Sequence, residues 1–133
     1  MSDKTTLLIV EDDPFTRQFY DFLFSKFGFK IIQTEDGDEV FKILEDKKID
    51  MIIMDINLKN TFLEKVKVDG VIITRKIKDN PKFKNIPVML VTAYKNKGGD
   101  RNYLDESLAD DYIVKPITDY NELMNKVNKL ISK

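Results

Sequence analysis

Asp55 closes the run Ile-Asp-Met-Ile-Ile-Met (49–54), and a carboxylate at that place is set to do chemistry. A short apolar run of this kind reads as a buried parallel strand. Open α/β sheets bind their ligands in the crevice beyond the carboxyl ends of the strands. Three further runs end in reactive groups: Leu-Leu-Ile-Val (7–10) leads into Glu11, Asp12 and Asp13, Pro-Val-Met-Leu-Val (87–91) into Thr92, and Tyr-Ile-Val (112–114) into Lys115 and Pro116. If the first and third strands are neighbours, Glu11, Asp12 and Asp55 converge. Three such carboxylates repel one another, and a divalent cation relieves them. Oxygen ligation with few protein ligands suits Mg²⁺. Thr92 and Lys115 add a hydroxyl and a cation able to hold an oxyanion. The set makes a phosphoryl-transfer site with Asp55 as nucleophile.

Each residue alone has an ordinary explanation. An Asp after a strand is often a helix cap, and Asp13 before Pro14 reads as one. A Lys-Pro pair is usually a loop. The combination is what points to function, because four strands offer complementary groups at one edge of a sheet.

Composition narrows the chemistry further. The chain has no histidine and no cysteine. That excludes a Ser-His-Asp hydrolase, a zinc site of those ligands, a disulfide framework, and a donor that carries phosphate on its own imidazole. Lys and Arg are spread along a chain of net charge −1, which offers no nucleic-acid surface. No apolar stretch approaches the roughly 20 residues that span a bilayer. The N-terminus lacks a charged-then-apolar signal pattern, so a cytoplasmic location is expected.

The positioning elements alternate regularly. Phe15, Phe19, Phe22 and Leu23 recur at helical spacing after Pro14, and Gly28 fits the helix stop. A short strand over 29–33 precedes a helix from Asp38 to Lys47 that buries Val40, Phe41 and Leu44. After the strand ending at Asp55 come a polar stretch and a helix from Gly70 to Lys78, broken by Asn80-Pro81. A strand over 86–91, a weaker helix near 100–109 and the strand 112–114 follow. The last helix is capped by Thr118, with Tyr120, Leu123, Met124, Val127, Leu130 and Ile131 as its apolar stripe. Five strands separated by helices give a parallel sheet with right-handed crossovers and helices on both faces. Residues 1–133 are expected to form one domain, either a whole protein or part of a longer one.

Here the chain resembles the receiver domain of two-component response regulators over nearly its full length. The motifs are Ile-Val-Glu-Asp-Asp-Pro (9–14), Met-Asp-Ile-Asn-Leu (54–58), Val-Thr-Ala (91–93) and Asp-Asp-Tyr-Ile-Val-Lys-Pro (110–116). The resemblance implies a flavodoxin-like, doubly wound sheet of five parallel strands in the order 2-1-3-4-5 with five helices on two faces. It implies that Asp55 accepts a phosphoryl group, that Asp12, Asp55 and the backbone carbonyl of Asn57 bind Mg²⁺, and that Glu11 acts largely through water. Thr92 and Lys115 would hold the phosphoryl group, and Tyr112 would be the aromatic switch. Lys115-Pro116 would be a cis peptide. Catalysis would be confined to the protein's own phosphorylation and dephosphorylation, with Asn57 and Tyr94 setting the rate of phosphoryl loss.

The resemblance also implies partners. A phosphohistidine on a histidine kinase or histidine phosphotransfer protein is the donor, and output runs to a downstream protein target, or to a homodimer formed on phosphorylation. Neither nucleic acid nor membrane is expected to be touched directly.

One departure stands out. The family usually places a Pro where this chain has Lys59, and roughly seven extra residues lie between there and Asp69-Gly70, a lengthening that costs little. The extended loop, about 58–69, reads either as a tolerated surface insertion or, because Phe62, Leu63, Val66 and Val68 make it more apolar than a passive loop needs, as a partner contact, and partner choice rather than chemistry is expected of it. Its pattern does not choose between a hairpin and a helix extension.

Other classes fit less well. A flavodoxin-type cofactor binder would repel phosphate with Glu11, Asp12 and Asp13. A haloacid-dehalogenase-like phosphatase needs an acid two residues after its nucleophile, where Asn57 stands. A degenerate receiver that only docks partners is the remaining alternative.

Overall fold

The computed structural model describes residues 4–93 and 102–132. Five strands build the main sheet: β1 (Thr6–Val10), β2 (Lys30–Thr34), β3 (Met51–Asp55), β6 (Val88–Thr92) and β7 (Asp111–Val114). All pairings are parallel, in the order β2-β1-β3-β6-β7, which is the expected 2-1-3-4-5 when a separate small hairpin is left out of the count.

Strand alternation divides the core into two layers. Leu7, Ile9, Met51, Ile53, Met89 and Val91 pack against α1 (Pro14–Lys26) and α5 (Tyr120–Ile131). Leu8, Val10, Ile52, Met54, Val88 and Leu90 pack against α2 (Gly37–Asp46) and α3 (Gly70–Lys78). Tyr103 of the short α4 (Tyr103–Ser107) joins that second layer. A strand covered on both faces must be apolar along its whole length, which is why β1, β3 and β6 read as unbroken runs.

Several sequence expectations need correction. Phe15 and Phe22 are not core: they are 81% and 71% exposed, while Leu23 is buried as expected, Phe19 packs partly buried against the core, and Tyr20 and Phe24 are buried beside them. In α5 the cap is Asp119, whose Oδ1 accepts the Glu122 N–H at 3.1 Å, not Thr118, and Tyr120 is exposed. The expected cap of α1 is in place: Asp13 Oδ2 accepts the Thr16 N–H at 2.9 Å, with Pro14 first in the helix. Part of the helix expected near 100–109 lies outside the described residues.

The extended loop is a hairpin. β4 (Phe62–Leu63) and β5 (Val66–Lys67) pair antiparallel across Glu64 and Lys65, both with positive φ, 51° and 71°. Such a turn matches the twist of a hairpin and normally uses Asn or Gly. Gly37 lets it approach α2: a Cβ there would stand 2.8 Å from the Phe62 carbonyl oxygen.

Candidate functional site

Parallel register brings the strand ends level. Val10 faces Met54, Asp55 faces Val91, and Thr92 faces Val114. The groups that follow β1, end β3 and β6, and follow β7 therefore meet at one edge. Main-chain bonds continue the ladder one step further, from Ile56 N–H to Val91 O at 3.0 Å and from Lys115 N–H to Thr92 O at 2.8 Å.

Asp55 and Glu11 are each 2% exposed and Thr92 is 3% exposed. Asp55 Oδ1 accepts from Lys115 Nζ at 3.0 Å and from the Asn57 N–H at 3.2 Å. Glu11 Oε2 accepts from the N–H groups of Asp12 and Asp13 at 3.0 and 3.1 Å. Asp12 Oδ2 accepts the Lys59 N–H at 2.8 Å. Carboxylate oxygens of Glu11, Asp12 and Asp55 lie within 4.8 Å of one another, beside a cleft of about 480 Å³.

This crowding shows in the protonation of Glu11. Burial pushes its carboxyl up to about 7; the Asp13 amide opposes the rise, the neighbouring Asp55 adds to it, and the Lys115 charge opposes it. Two buried carboxylates and the half-buried Asp12, with one ammonium, have surplus negative charge and unused oxygen lone pairs. That donor set fits a small, hard, oxygen-seeking cation.

The remaining expected residues fall around this centre. Asn57 and Lys59 both line the cleft. Tyr112 faces Leu90 on the neighbouring strand, on the α3 side of the sheet, half-buried with Lys126 Nζ 5.9 Å from its ring centroid. Lys115-Pro116 is cis. Tyr94 lies outside the described residues.

Three participants were not foreseen in the sequence. Gly70 packs against the end of β3 so closely that a Cβ would come 2.1 Å from the Asp55 carbonyl oxygen. Tyr20 is buried beneath the acids, its phenol raised by burial and by the charges of Glu11 and Asp55, and its hydroxyl has no hydrogen-bond partner among the described residues. The third is the Lys59 amide on Asp12. A main-chain donor carries no side-chain signature, so only the fold reveals it.

The family model described as the response regulator receiver domain matches residues 7–128. The chain belongs to that receiver domain family. Its relatives include the polar-differentiation response regulator DivK of Brucella anthropi, 31% identical over 113 residues that make up 85% of each chain. The CAI-1 autoinducer sensor kinase/phosphatase CqsS of Vibrio cholerae is 34% identical over 122 residues, 91% of this chain. The chain spans 16% of that kinase's length.

Solved structures agree on the fold. A putative response regulator from Chloroflexus aurantiacus superposes with a TM-score of 0.84 at 23% identity, covering 98% of this chain and 100% of that one. The receiver domain of a Pseudomonas aeruginosa sensor histidine kinase, solved with magnesium coordinated in its active-site cleft, gives 0.82 at 24% identity over 98% of this chain and 100% of that one. The response regulator TrrA of Thermotoga maritima, in complex with Mg²⁺ and BeF, gives 0.76 at 28% identity over 95% and 98%. Among the described residues, no helix of this receiver is long and apolar enough to cross a membrane.

Proposed function

We propose that this receiver takes a phosphoryl group from a phosphohistidine on a separate histidine kinase or phosphotransfer protein onto Asp55, and that the modified form binds its partners differently. The observation that carries this reading is a buried carboxylate, Asp55, paired with Lys115 Nζ at 3.0 Å and flanked by two further acids. With Oδ1 held by Lys115 and the Asn57 amide, Oδ2 is the oxygen that attacks phosphorus. The new O–P bond forms as the P–N bond of the donor breaks, and the bonding pair returns to the imidazole nitrogen. Lys115 follows the charge on the phosphoryl oxygens, and the Thr92 hydroxyl closes on them.

Asp12, Asp55 and the Asn57 carbonyl would hold Mg²⁺, with Glu11 acting through water. Bound there, the cation supplies charge neutralisation of the acids and of the incoming phosphoryl oxygens. The protein's catalysis is confined to its own phosphorylation and dephosphorylation, in the cytoplasm, by a single receiver domain across residues 1–133. Asn57 and Tyr94, two residues beyond Asp55 and Thr92, would flank the approach of the hydrolytic water.

A groove of about 500 Å³ continues from Lys115 between Phe15, Phe19, Ile117 and Tyr120, and it suits the donor's apolar helix surface. The output face is formed by α4, β7 and α5. Movement of Thr92 toward the phosphoryl group gives Tyr112 room to turn inward, and phosphorylation favours that packing over the other.

Incubation with Mg²⁺ and a small acyl phosphate, followed by intact mass measurement, tests the assignment. Wild-type protein is expected to gain one phosphoryl group, Asp55→Asn protein none, and protein given ATP and Mg²⁺ alone none. An equal gain in the Asp55→Asn protein rules out Asp55 as the acceptor.

A further inference from the structure

We infer that the segment from Lys59 to Val68 positions Asp12 for its cation, so that docking of the hairpin on α2 and occupation of the acid site stabilise each other. This rests on the Mg²⁺ role proposed above and concerns a part of the chain that role does not explain.

The segment begins at the site itself. The Lys59 N–H donates to Asp12 Oδ2 at 2.8 Å, and a hydrogen bond to an ionised carboxylate is among the stronger kind. With one oxygen held, rotation of the carboxylate is restricted, and Asp12 lines the cleft beside Glu11 and Asp55. A ligand set restrained beforehand gives up less entropy when the cation arrives. A Pro at this position, as the family usually has, carries no N–H and makes no such bond.

Beyond Asn60, which still lines the cleft, the segment is hydrogen-bonded to residues 35–38, and Val68 packs in the core. The fully buried Thr61 donates its hydroxyl to the Glu35 carbonyl at 2.7 Å. The Phe62 N–H donates to Asp36 Oδ1 at 3.3 Å and the Glu64 N–H to Asp38 Oδ1 at 3.0 Å. Asp36 is the N-cap residue of α2, yet its side chain makes no capping bond; it serves the hairpin instead. Gly37 has no Cβ to hold Phe62 off. Of these anchors Glu35 also lines the acid cleft, so the fastening at α2 begins beside the site, and a loop used for partner contact alone needs no bond to Asp12.

One fastened segment therefore joins α2 to a metal-binding carboxylate. If hairpin docking improves cation binding, cation binding must improve docking by the same factor. Both directions are measurable without phosphorylation. Calorimetry gives the Mg²⁺ dissociation constant, and amide hydrogen exchange at Phe62 and Glu64, with and without Mg²⁺, reports docking.

Thr61→Val removes the buried hydroxyl at nearly constant volume, Thr61→Ser keeps it, and Gly37→Ala pushes against the Phe62 carbonyl. In wild-type protein Mg²⁺ is expected to slow exchange at both amides severalfold. Thr61→Val and Gly37→Ala are each expected to weaken Mg²⁺ binding about fivefold or more, with Thr61→Ser close to wild type. Far-UV circular dichroism checks that each variant is folded, and the wild-type exchange comparison depends on no variant. Exchange that Mg²⁺ leaves unchanged in wild type, or Thr61→Val protein that binds Mg²⁺ as tightly as wild type, overturns the coupling. Wild-type protein that takes up no Mg²⁺ overturns the metal reading itself, and the coupling with it.

Discussion

Burial keeps the Glu11 carboxyl protonated to about pH 7, against an ordinary value of 4.5. Folding without a cation therefore takes up a proton between those two values. Because the native state binds more protons there, stability falls as pH rises through the window. A cation at the site reverses the preference, since it favours the ionised carboxylate and displaces the proton. Mg²⁺ affinity is thus expected to rise between about pH 6 and 8, and Glu11→Gln to flatten that rise. Urea unfolding without Mg²⁺ at pH 5 and 7.5 gives the second check: wild type loses stability relative to Glu11→Gln as pH increases. A pH-independent difference between the two proteins contradicts the assignment.

Elements differ in how openly the sequence displays them. β1, β3 and β6 were legible because strands covered on both faces must be apolar throughout, and a parallel register then puts Asp55, Thr92 and the residues after β1 and β7 at one edge. The buried face of α1 was legible only in part. Of the expected stripe, Leu23 is buried and Phe19 packs partly buried against the core, while Phe15 and Phe22 face outward and Tyr20 and Phe24 take their place. The β4–β5 hairpin was hidden for a different reason. Its turn residues are Glu64 and Lys65, held at left-handed φ, rather than the Asn-Gly pair that marks such a turn. Side chains other than Asn, Asp and Gly pay for that conformation, by about 1–2 kcal/mol each in a left-handed helix. Replacing Glu64-Lys65 by Asn-Gly is therefore expected to raise the unfolding free energy by about 1 kcal/mol, after the entropy that Gly adds to the unfolded chain. Urea denaturation measures it; a loss of stability means that the two native side chains make contacts outweighing their backbone strain.

Across the whole molecule, the acid site sits between two surfaces of different character. On one side α1 exposes Phe15 and Phe22, and the groove beside Phe15 runs to Lys115. On the other lie the hairpin and α2, whose first turn carries Asp38 and Glu39. A phosphoryl group adds about −1.5 to −2 charges between them, on a chain whose own net charge is only −1. On the proposed reaction a protein donor brings its phosphoimidazole to Asp55 across a surface, and among the described residues α1 carries the two most exposed aromatic side chains, Phe15 and Phe22. A small acyl phosphate reaches the same carboxylate without that surface. The double substitution Phe15→Ala, Phe22→Ala is therefore expected to slow transfer from a phosphohistidine protein on the order of tenfold or more, the scale of losing aromatic anchors from an interface. Phosphorylation by the small donor is expected to change far less, and stability by no more than about 0.5 kcal/mol, as befits surface positions. Parallel time courses with the two donors provide the measurement. Equal slowing with both would place these phenylalanines in the chemistry of the site; no slowing with either would move donor docking away from α1.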